Sequence, residues 1–141
     1  MNNRKKYYVE PHIKSFIKKE IMMYDIYLNC RKERELEIWH PTREIGEPSK
    51  TNLTSDETSQ KAIKFAEDVL WVKYNQKIMR IERVRDNLRE DEKYCFEKIF
   101  KFGHSQVYAE MHDNISKDTY YNFIDKVVYL VSKEYGVWKE K

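Results

Sequence analysis

The hydrophobic and polar positions of residues 103–136 predict two short helices joined by a tight turn. Gly103 is suited to end a preceding helix in the left-handed conformation, and Ser105 is suited to cap the next helix through its hydroxyl. We expect that helix to carry a small apolar face made of Val107, Ala109 and Met111, with Ala109 allowing close helix contact.

A second, longer helix is predicted after the turn. Asp113 and Asn114 tolerate turn backbone, Ile115 is an apolar plug, and Ser116 caps the helix that follows. Gly136 ends it. Its apolar positions repeat at helical spacing and comprise Tyr120, Phe123, Ile124, Val127, Leu130 and Val131.

This order of a small residue, a turn, an apolar plug, a Ser cap and an amphipathic helix is typical of a helix-turn-helix. The second helix of that motif enters the major groove of DNA. A structural helical hairpin produces the same pattern, so both interpretations remain open.

The first third of the chain also has helical spacing. Apolar residues recur from Ile13 to Leu28, Pro11 fits the start of the helix, and Trp39 closes the charged stretch that follows. Residues 40–54 then hold two of the three prolines, which predicts a linker or an ordered irregular loop.

A capping box at Thr54 and Glu57 predicts the start of a long helix over residues 55–88, which contain no Gly or Pro. Its apolar stripe runs through Ala62, Ile63, Ala66, Val69, Leu70, Tyr74, Ile78, Ile81, Val84 and Leu88. A helix cannot bury such a stripe against itself, so it needs the first helix, the C-terminal region or a second subunit. We therefore expect a homo-oligomer formed through residues 55–88.

Acidic residues from Glu90 to Glu92 suit the start of a further helix, which we expect to support the motif. Its aromatic-rich core positions are Tyr94, Phe96, Ile99, Phe100 and Phe102. The chain is thus predicted to be all-α, with an N-terminal helical region over 1–88 and a helix-turn-helix domain over 89–141.

Composition agrees with this class. The 141 residues fit one domain or two small ones, and 40% hydrophobic residues suffice for a core although 36% are charged. Only three glycines and three prolines favour long helices. No apolar run is long enough for a membrane span and no signal-peptide pattern is present, so a cytoplasmic protein without membrane contact is expected.

Enzyme chemistry is not indicated. The sequence has no phosphate-binding glycine loop and no nucleophile elbow. Its four histidines do not form a zinc pattern with Cys30 or Cys95, which we interpret as reduced, half-buried thiols. His104 and His112 flank one short helix and are interpreted as half-exposed side chains. We therefore predict no catalytic residue, no metal and no cofactor.

Charge is weak support for nucleic-acid binding. The net charge is +3, and residues 101–141 hold equal numbers of cationic and acidic side chains. Each of two basic segments has two possible interpretations. The segment Arg4–Tyr8 is a DNA-contacting arm or a solvated terminus. The arginines at 80, 83, 85 and 89 form a salt-bridged solvated face or a phosphate-binding stripe.

Several segments together resemble the phage late-operon transcriptional activators of the RinA/ArpU type, which have a sigma-like helix-turn-helix. The segments are Pro48–Asp56, the long helix, Ile115–Tyr121, and Glu134–Gly136. The resemblance implies DNA binding upstream of phage late genes, in the cytoplasm of a bacterial host, and activation of transcription by the host RNA polymerase, which is then a candidate partner. This chain departs from the family in two ways: its second helix has few cations, and the segment from Ala109 to Ser116 is one residue longer.

The resemblance places Ser116, Thr119 and Tyr121 at the start of the recognition helix. We further expect Asn122 to pair with adenine, and Lys117 and Lys126 to contact phosphate or guanine. Phosphates would be held by Ser105, Gln106, Ser116 and Thr119. The alternative function is a helical protein-interaction module that never contacts DNA.

Overall fold

The computed structural model of the protein describes residues 6–39 and 55–137, with side chains there except at 55 and 56. The described part contains seven α-helices and one π-helical turn, and no strand. The helices are α1 Pro11–Met22, α2 Tyr24–Ile38, α3 Ser55–Glu67, α4 Val69–Asp86, α5 Glu90–Phe96, α6 Gln106–His112 and α7 Lys117–Tyr135; the π turn, Glu97–Lys101, continues α5. The predicted all-α class is confirmed.

The chain separates into two compact units. The first joins Met1–Asp25 to Met79–Lys141, and the second is Ile26–Ile78. The predicted domain boundary between 88 and 89 falls inside the first unit. Helices α2 and α4 contribute residues to both units, so the division follows contacts and not helix ends.

The single N-terminal helix predicted from Ile13 onward is wrong, because the chain forms two helices that break at Met23. The Met23 amide donates to both Lys19 O and Glu20 O, and its ψ of 8° departs from helical geometry. The start of α1 follows the prediction. Pro11 occupies its first turn, and the Glu10 carboxylate accepts from the amides of His12 and Ile13.

The predicted continuous helix over 55–88 is also wrong. Asp68 separates α3 from α4 because its carboxylate accepts a hydrogen bond from the Trp71 amide at 2.9 Å. Aspartate competes with the helical backbone in this way and therefore favours helix starts. Helix α4 then ends at Asp86. The predicted capping residue Thr54 and the loop at 40–54 lie outside the described residues.

In the second unit, α2 pairs with α4 through polar and aromatic contacts. The Arg34 guanidinium donates to both carboxylate oxygens of Asp68, at 3.0 and 2.7 Å. The Trp71 indole donates to Glu35 at 2.8 Å, and the rings of Tyr27 and Tyr74 lie 6.2 Å apart.

Acid should weaken this unit through Asp68. The hydrogen bonds from Arg34, followed by the one from the Trp71 amide, lower the pKa of Asp68 from 3.8 to about 2. A carboxyl whose pKa is lower in the folded state stabilises the fold above its unfolded pKa, and this stability is lost as pH falls through the folded pKa. We expect Asp68→Asn to be less stable than the wild type at neutral pH, with the difference shrinking between about pH 4 and pH 2. Urea unfolding across this pH range measures the difference in stability between the two proteins. A difference that stays constant would contradict the lowered pKa of Asp68.

The core of the first unit lies around α7, which packs against α1, α5 and α6. Val127, Val128, Val131 and Ser132 of α7 are fully buried. The other buried core residues come from the whole unit: Val9, Ile17, Ile21, Ile81, Val84, Leu88, Cys95, Phe96, Ile99, Phe100, Ala109, Ile115, Tyr120, Phe123 and Ile124. Three residues of the predicted long helix, Ile81, Val84 and Leu88, are therefore covered within the chain. That part of the stripe gives no reason to expect a second subunit.

The support helix differs from its prediction in its second half. The Phe102 amide donates to Glu97 O at 2.9 Å, which is π-helical bonding, and the segment ends at Gly103 with a φ of 68°. The predicted left-handed Gly103 is confirmed. Phe96, Ile99 and Phe100 are buried as expected, but Tyr94 and Phe102 are exposed, which corrects that part of the prediction.

Candidate nucleic-acid interface

The two-helix unit predicted over residues 103–136 is present as α6, a turn and α7. The hydroxyl of Ser105 accepts from the Tyr108 amide at 3.1 Å, and that of Ser116 accepts from the Thr119 amide at 3.2 Å. Asn114 adopts a φ of 58° in the turn, and Gly136 ends α7 in the left-handed conformation. Each of these local predictions is confirmed.

The contact between α6 and α7 centres on Ala109, which is fully buried, and on Ile115. The amides of Asp113 and Ile115 both donate to the carbonyl of Ala109, which closes the turn tightly. The predicted apolar face of α6 is wrong for Val107 and Met111, which are 61% and 71% exposed. Residues two apart do not share a helical face, so Ala109 faces the core alone.

A cluster of hydrogen bonds fixes the turn to its surroundings. His104 Nδ1 lies 2.6 Å from the carboxylate of the buried Asp113. The Tyr120 hydroxyl donates to the His104 carbonyl at 2.7 Å, and the Tyr94 hydroxyl donates to the Asp113 carbonyl at 3.0 Å. These bonds hold the start of α7 in place relative to α5 and α6.

The predicted inward face of α7 is confirmed. Tyr120, Phe123, Ile124, Val127 and Val131 are buried, and Leu130 packs partly buried against the core. Val128 is also fully buried, although the predicted apolar face did not include it.

The eight predicted DNA-binding residues separate into two groups. Ser105, Ser116, Lys117, Thr119 and Tyr121 are exposed, four of them at the start of α7. Gln106, Asn122 and Lys126 are half-buried. Gln106 donates to Glu110 at 2.9 Å on the same helix.

Lys126 does not join the exposed group, which speaks against the expectation that it contacts phosphate or guanine together with Lys117. Nine residues at about 100° each place Lys126 on the opposite side of α7 from Lys117. The ammonium of Lys126 lies 2.7 Å from the Glu92 carboxylate, with side-chain exposures of 27% and 12%. Burial opposes ionisation of Glu92, yet Lys126 and the Arg89 amide outweigh it and lower the pKa of Glu92. Lys126 therefore joins α7 to α5.

The structure places two lysines of α1 beside the interface, which the sequence pattern did not indicate. The ammonium of Lys14 on α1 lies 2.6 Å from the Asp125 carboxylate on α7. This packing places α1 beside the start of α7. Lys14 and Lys18 line a groove of about 580 Å³ together with Tyr7, Tyr8 and Tyr121.

The N-terminal segment Arg4–Tyr8 is described only from Lys6 onward. The ring of Tyr7 lies 5.4 Å from that of Tyr129, in edge-to-face geometry. Tyr7 therefore packs on α7.

The arginine row favours the salt-bridged interpretation. Arg83 pairs with Glu134, Arg85 with Asp86, and Arg89 with Asp91 and Glu92. Arg80 lies over the ring of Tyr135 at 5.5 Å. Pairs of this exposed kind contribute little to stability, and they occupy the cations that a phosphate stripe would need.

Other candidate chemistry adds no site. Within residues 6–39 and 55–137, no three His, Cys, Asp or Glu side chains are grouped as a metal site would require. Cys30 is half-buried and Cys95 is buried, and burial raises the pKa of the Cys95 thiol. None of the described helices is both long and apolar enough to cross a membrane.

No model of a protein family matches this chain, and the curated proteins and solved structures give no match either. The resemblance to phage activators therefore stays a prediction.

Proposed function

We propose that this protein binds duplex DNA through the start of α7 and regulates transcription. The observation that carries the proposal is the exposed first turn of a 19-residue helix, capped by Ser116 and preceded by the short helix α6. Lys117 and Tyr121 are exposed there on neighbouring positions of one helical side.

The N-terminal end of a helix attracts phosphate because its amides are unpaired and its dipole is positive at that end. Lys117 adds a formal charge at this point, and the exposed hydroxyls of Ser116 and Thr119 add hydrogen-bonding groups. Asn122 is half-buried and lies about 140° around α7 from Lys117, on the side of Lys126. The pairing of Asn122 with adenine is therefore not part of this proposal.

The groove beside Tyr121 enlarges this surface. Lys18 contributes a cation from α1, and Tyr7 and Tyr8 contribute phenol groups of the kind that hydrogen-bond to phosphate. Lys14 is excluded, as Lys126 is, because its ammonium pairs with the Asp125 carboxylate at 2.6 Å. Asp118 and Asp125 partly offset these charges. We therefore propose a small number of phosphate contacts per chain, with Lys126 excluded from them.

A transcription activator of phage late genes that acts through the host polymerase is the finer form of this proposal. It rests on the resemblance of residues 48–56 and 115–121 to that class of activators. A homo-oligomer belongs to the same proposal, because two copies would double the few phosphate contacts of one chain.

Binding to a random-sequence duplex tests the proposal. We expect fluorescence anisotropy to show binding at 50 mM salt and a loss of about tenfold or more in affinity at 200 mM, since each phosphate contact releases counterions. An absence of binding at 50 mM salt would contradict DNA recognition by this surface.

A protein-interaction module is the second candidate, and the exposed side of α6 favours it. Val107, Tyr108 and Met111 are 61%, 46% and 71% exposed, and Phe102 is 51% exposed just before the helix. Contiguous exposed apolar side chains are typical of protein contacts. If this is the function, Met111→Lys abolishes complex formation with the partner, while duplex binding is absent at every salt concentration.

A further inference from the structure

A cavity of about 240 Å³ lies in the first unit, away from the start of α7. It is formed where the end of α1 and the beginning of α2 meet α5 and the π turn. Its apolar wall consists of Ile21, Phe96 and Phe100, which are all buried core residues. The cavity therefore reaches the core and is not only a dent in the polar surface.

Three cations line the same cavity: Arg85, Lys93 and Lys101. Arg85 is fixed against the wall, because its guanidinium donates to the Tyr24 hydroxyl at 3.2 Å and lies over the Tyr24 ring at 5.2 Å. Its side chain is only 33% exposed, and its one ion-pair partner among the described residues, Asp86 at 3.3 Å, is 66% exposed. A charge that is partly removed from water acts more strongly on a ligand than a solvated one.

The acidic side chains that line the cavity are more exposed to solvent than Arg85 and Lys93, so their charges are more strongly screened. Asp25 and Glu97 also line the cavity, but both are exposed to solvent. Lys101 has no ion-pair partner among the described residues, and Lys93 contacts only the largely exposed Glu90, at 3.6 Å. The less exposed charges of the lining, Arg85 and Lys93, are thus cationic.

The π turn supplies part of this lining. Phe100 and Lys101 belong to Glu97–Lys101, where one extra residue is accommodated in the helix. Such insertions disturb the regular hydrogen bonding of the helix backbone and occur frequently at functional sites. Here the turn places a core aromatic and a cation on the same cavity.

We propose that this cavity binds a small organic anion, an aromatic carboxylate, with its ring against Phe96 and Phe100 and its carboxylate toward Arg85, Lys93 and Lys101. The volume suits a single ring with one short substituent. A cavity lined by an apolar wall and a few convergent polar groups is the usual form of a small-molecule site.

A ligand in the cavity would affect α7 through the contacts of Phe100. The Phe100 ring is tilted against the rings of Phe96 and of Phe123 on α7, with centroids 5.2 and 6.3 Å away. A ligand that restricts Phe100 therefore restricts a core contact of the helix whose first turn carries the proposed DNA surface. The site itself stands independently of DNA binding.

Methyl NMR on the full chain tests the proposal with three probes of the same shape: benzoate, benzamide and benzylammonium. We expect benzoate to shift the Ile21 and Met22 methyl signals saturably, with a Kd of about 1 mM for so small a ligand. Benzamide should bind at least about fivefold more weakly, because it lacks the charge. The Met111 methyl on α6 does not line the cavity and should not move.

Two variants of lining residues test whether the cavity prefers an anion. Lys101→Ala should weaken benzoate binding about threefold to tenfold, whereas Lys73→Ala, an exposed lysine of α4 outside the cavity, should leave it unchanged. Glu97→Gln should strengthen it. The proposal is overturned by the absence of a saturable shift up to about 20 mM benzoate, by equal binding of benzamide, or by preference for benzylammonium. None of these results bears on the duplex experiment.

Discussion

A fragment of residues 89–141, the predicted helix-turn-helix domain, is expected to be largely unfolded when it is expressed alone. Six buried side chains of its core lie outside the fragment: Val9, Ile17, Ile21, Ile81, Val84 and Leu88. Burial of one such side chain contributes about 1.5–3 kcal/mol, so the loss of six is about 9–18 kcal/mol. That is as large as the whole stability of a typical domain.

Circular dichroism and thermal melting measure this directly. A matched chain joins residues 1–25 to residues 79–141 through a short Gly/Ser linker and keeps all six side chains. We expect the joined chain to be helical and to melt cooperatively, while the 89–141 fragment shows neither property. A fragment that melts cooperatively at the temperature of the joined chain would contradict the description of the first unit as one core.

Val128→Asp is expected to prevent folding or to destabilise the protein by more than about 4 kcal/mol, because it buries an unpaired charge. Val128 is fully buried on α7, although it lies beside the predicted apolar face and not within it. If this side of α7 faced solvent or DNA, the substitution would be nearly neutral.

The same substitution at Val107 is the control. Val107 is 61% exposed and lies in the first turn of α6, where an acidic side chain is favourable. Val107→Asp should change the free energy of unfolding by less than about 0.5 kcal/mol. Urea unfolding followed at 222 nm compares the two variants, and equal stabilities would show that Val128 is not in the core.

Local chemistry made the ends of α6 and α7 predictable from sequence. Ser105, Ser116 and Gly136 act through hydrogen bonds and backbone angles within a few residues, so their type and position suffice. The apolar period of α7 likewise predicted its buried face, because one long helix keeps its register over several turns.

Breaks inside helical patterns were not predictable in this way. Met23 and Asp68 interrupt stretches that have helical apolar spacing and contain no glycine or proline. At Asp68 the alternative is stabilised by Arg34, a residue 34 positions earlier in the chain. The sequence pattern carries no information about that pairing.

The predictions for the candidate interface that were wrong also depend on contacts between residues distant in the sequence. Lys126 has the residue type of a phosphate contact, but Glu92 on α5 takes up its charge. Lys14 and Lys18 reach the surface beside Tyr121 only because α1 packs along α7. Both facts depend on contacts between distant segments, whereas exposure at Lys117 follows from its place in the first turn of the helix.

Helix α7 thus combines two roles along its length. Lys117, Asp118 and Thr119 at its start are exposed and polar, whereas Tyr120 is already buried. The middle of the helix forms the centre of the core of the first unit. A rigid core helix holds its own first turn in a fixed position, which is the property that a base-reading helix needs. Substitution of the exposed Lys117 should therefore change binding and leave stability almost unaffected.

The most direct test of the DNA proposal is the duplex titration carried out on Lys117→Ala, with Lys73→Ala as the matched exposed lysine on α4. We expect Lys117→Ala to bind more weakly at 50 mM salt and to have a salt-dependence slope smaller by about one. Its melting temperature and all properties of Lys73→Ala should match the wild type. Equal affinity and equal slope for Lys117→Ala and the wild type would contradict the claim that the start of α7 contacts DNA.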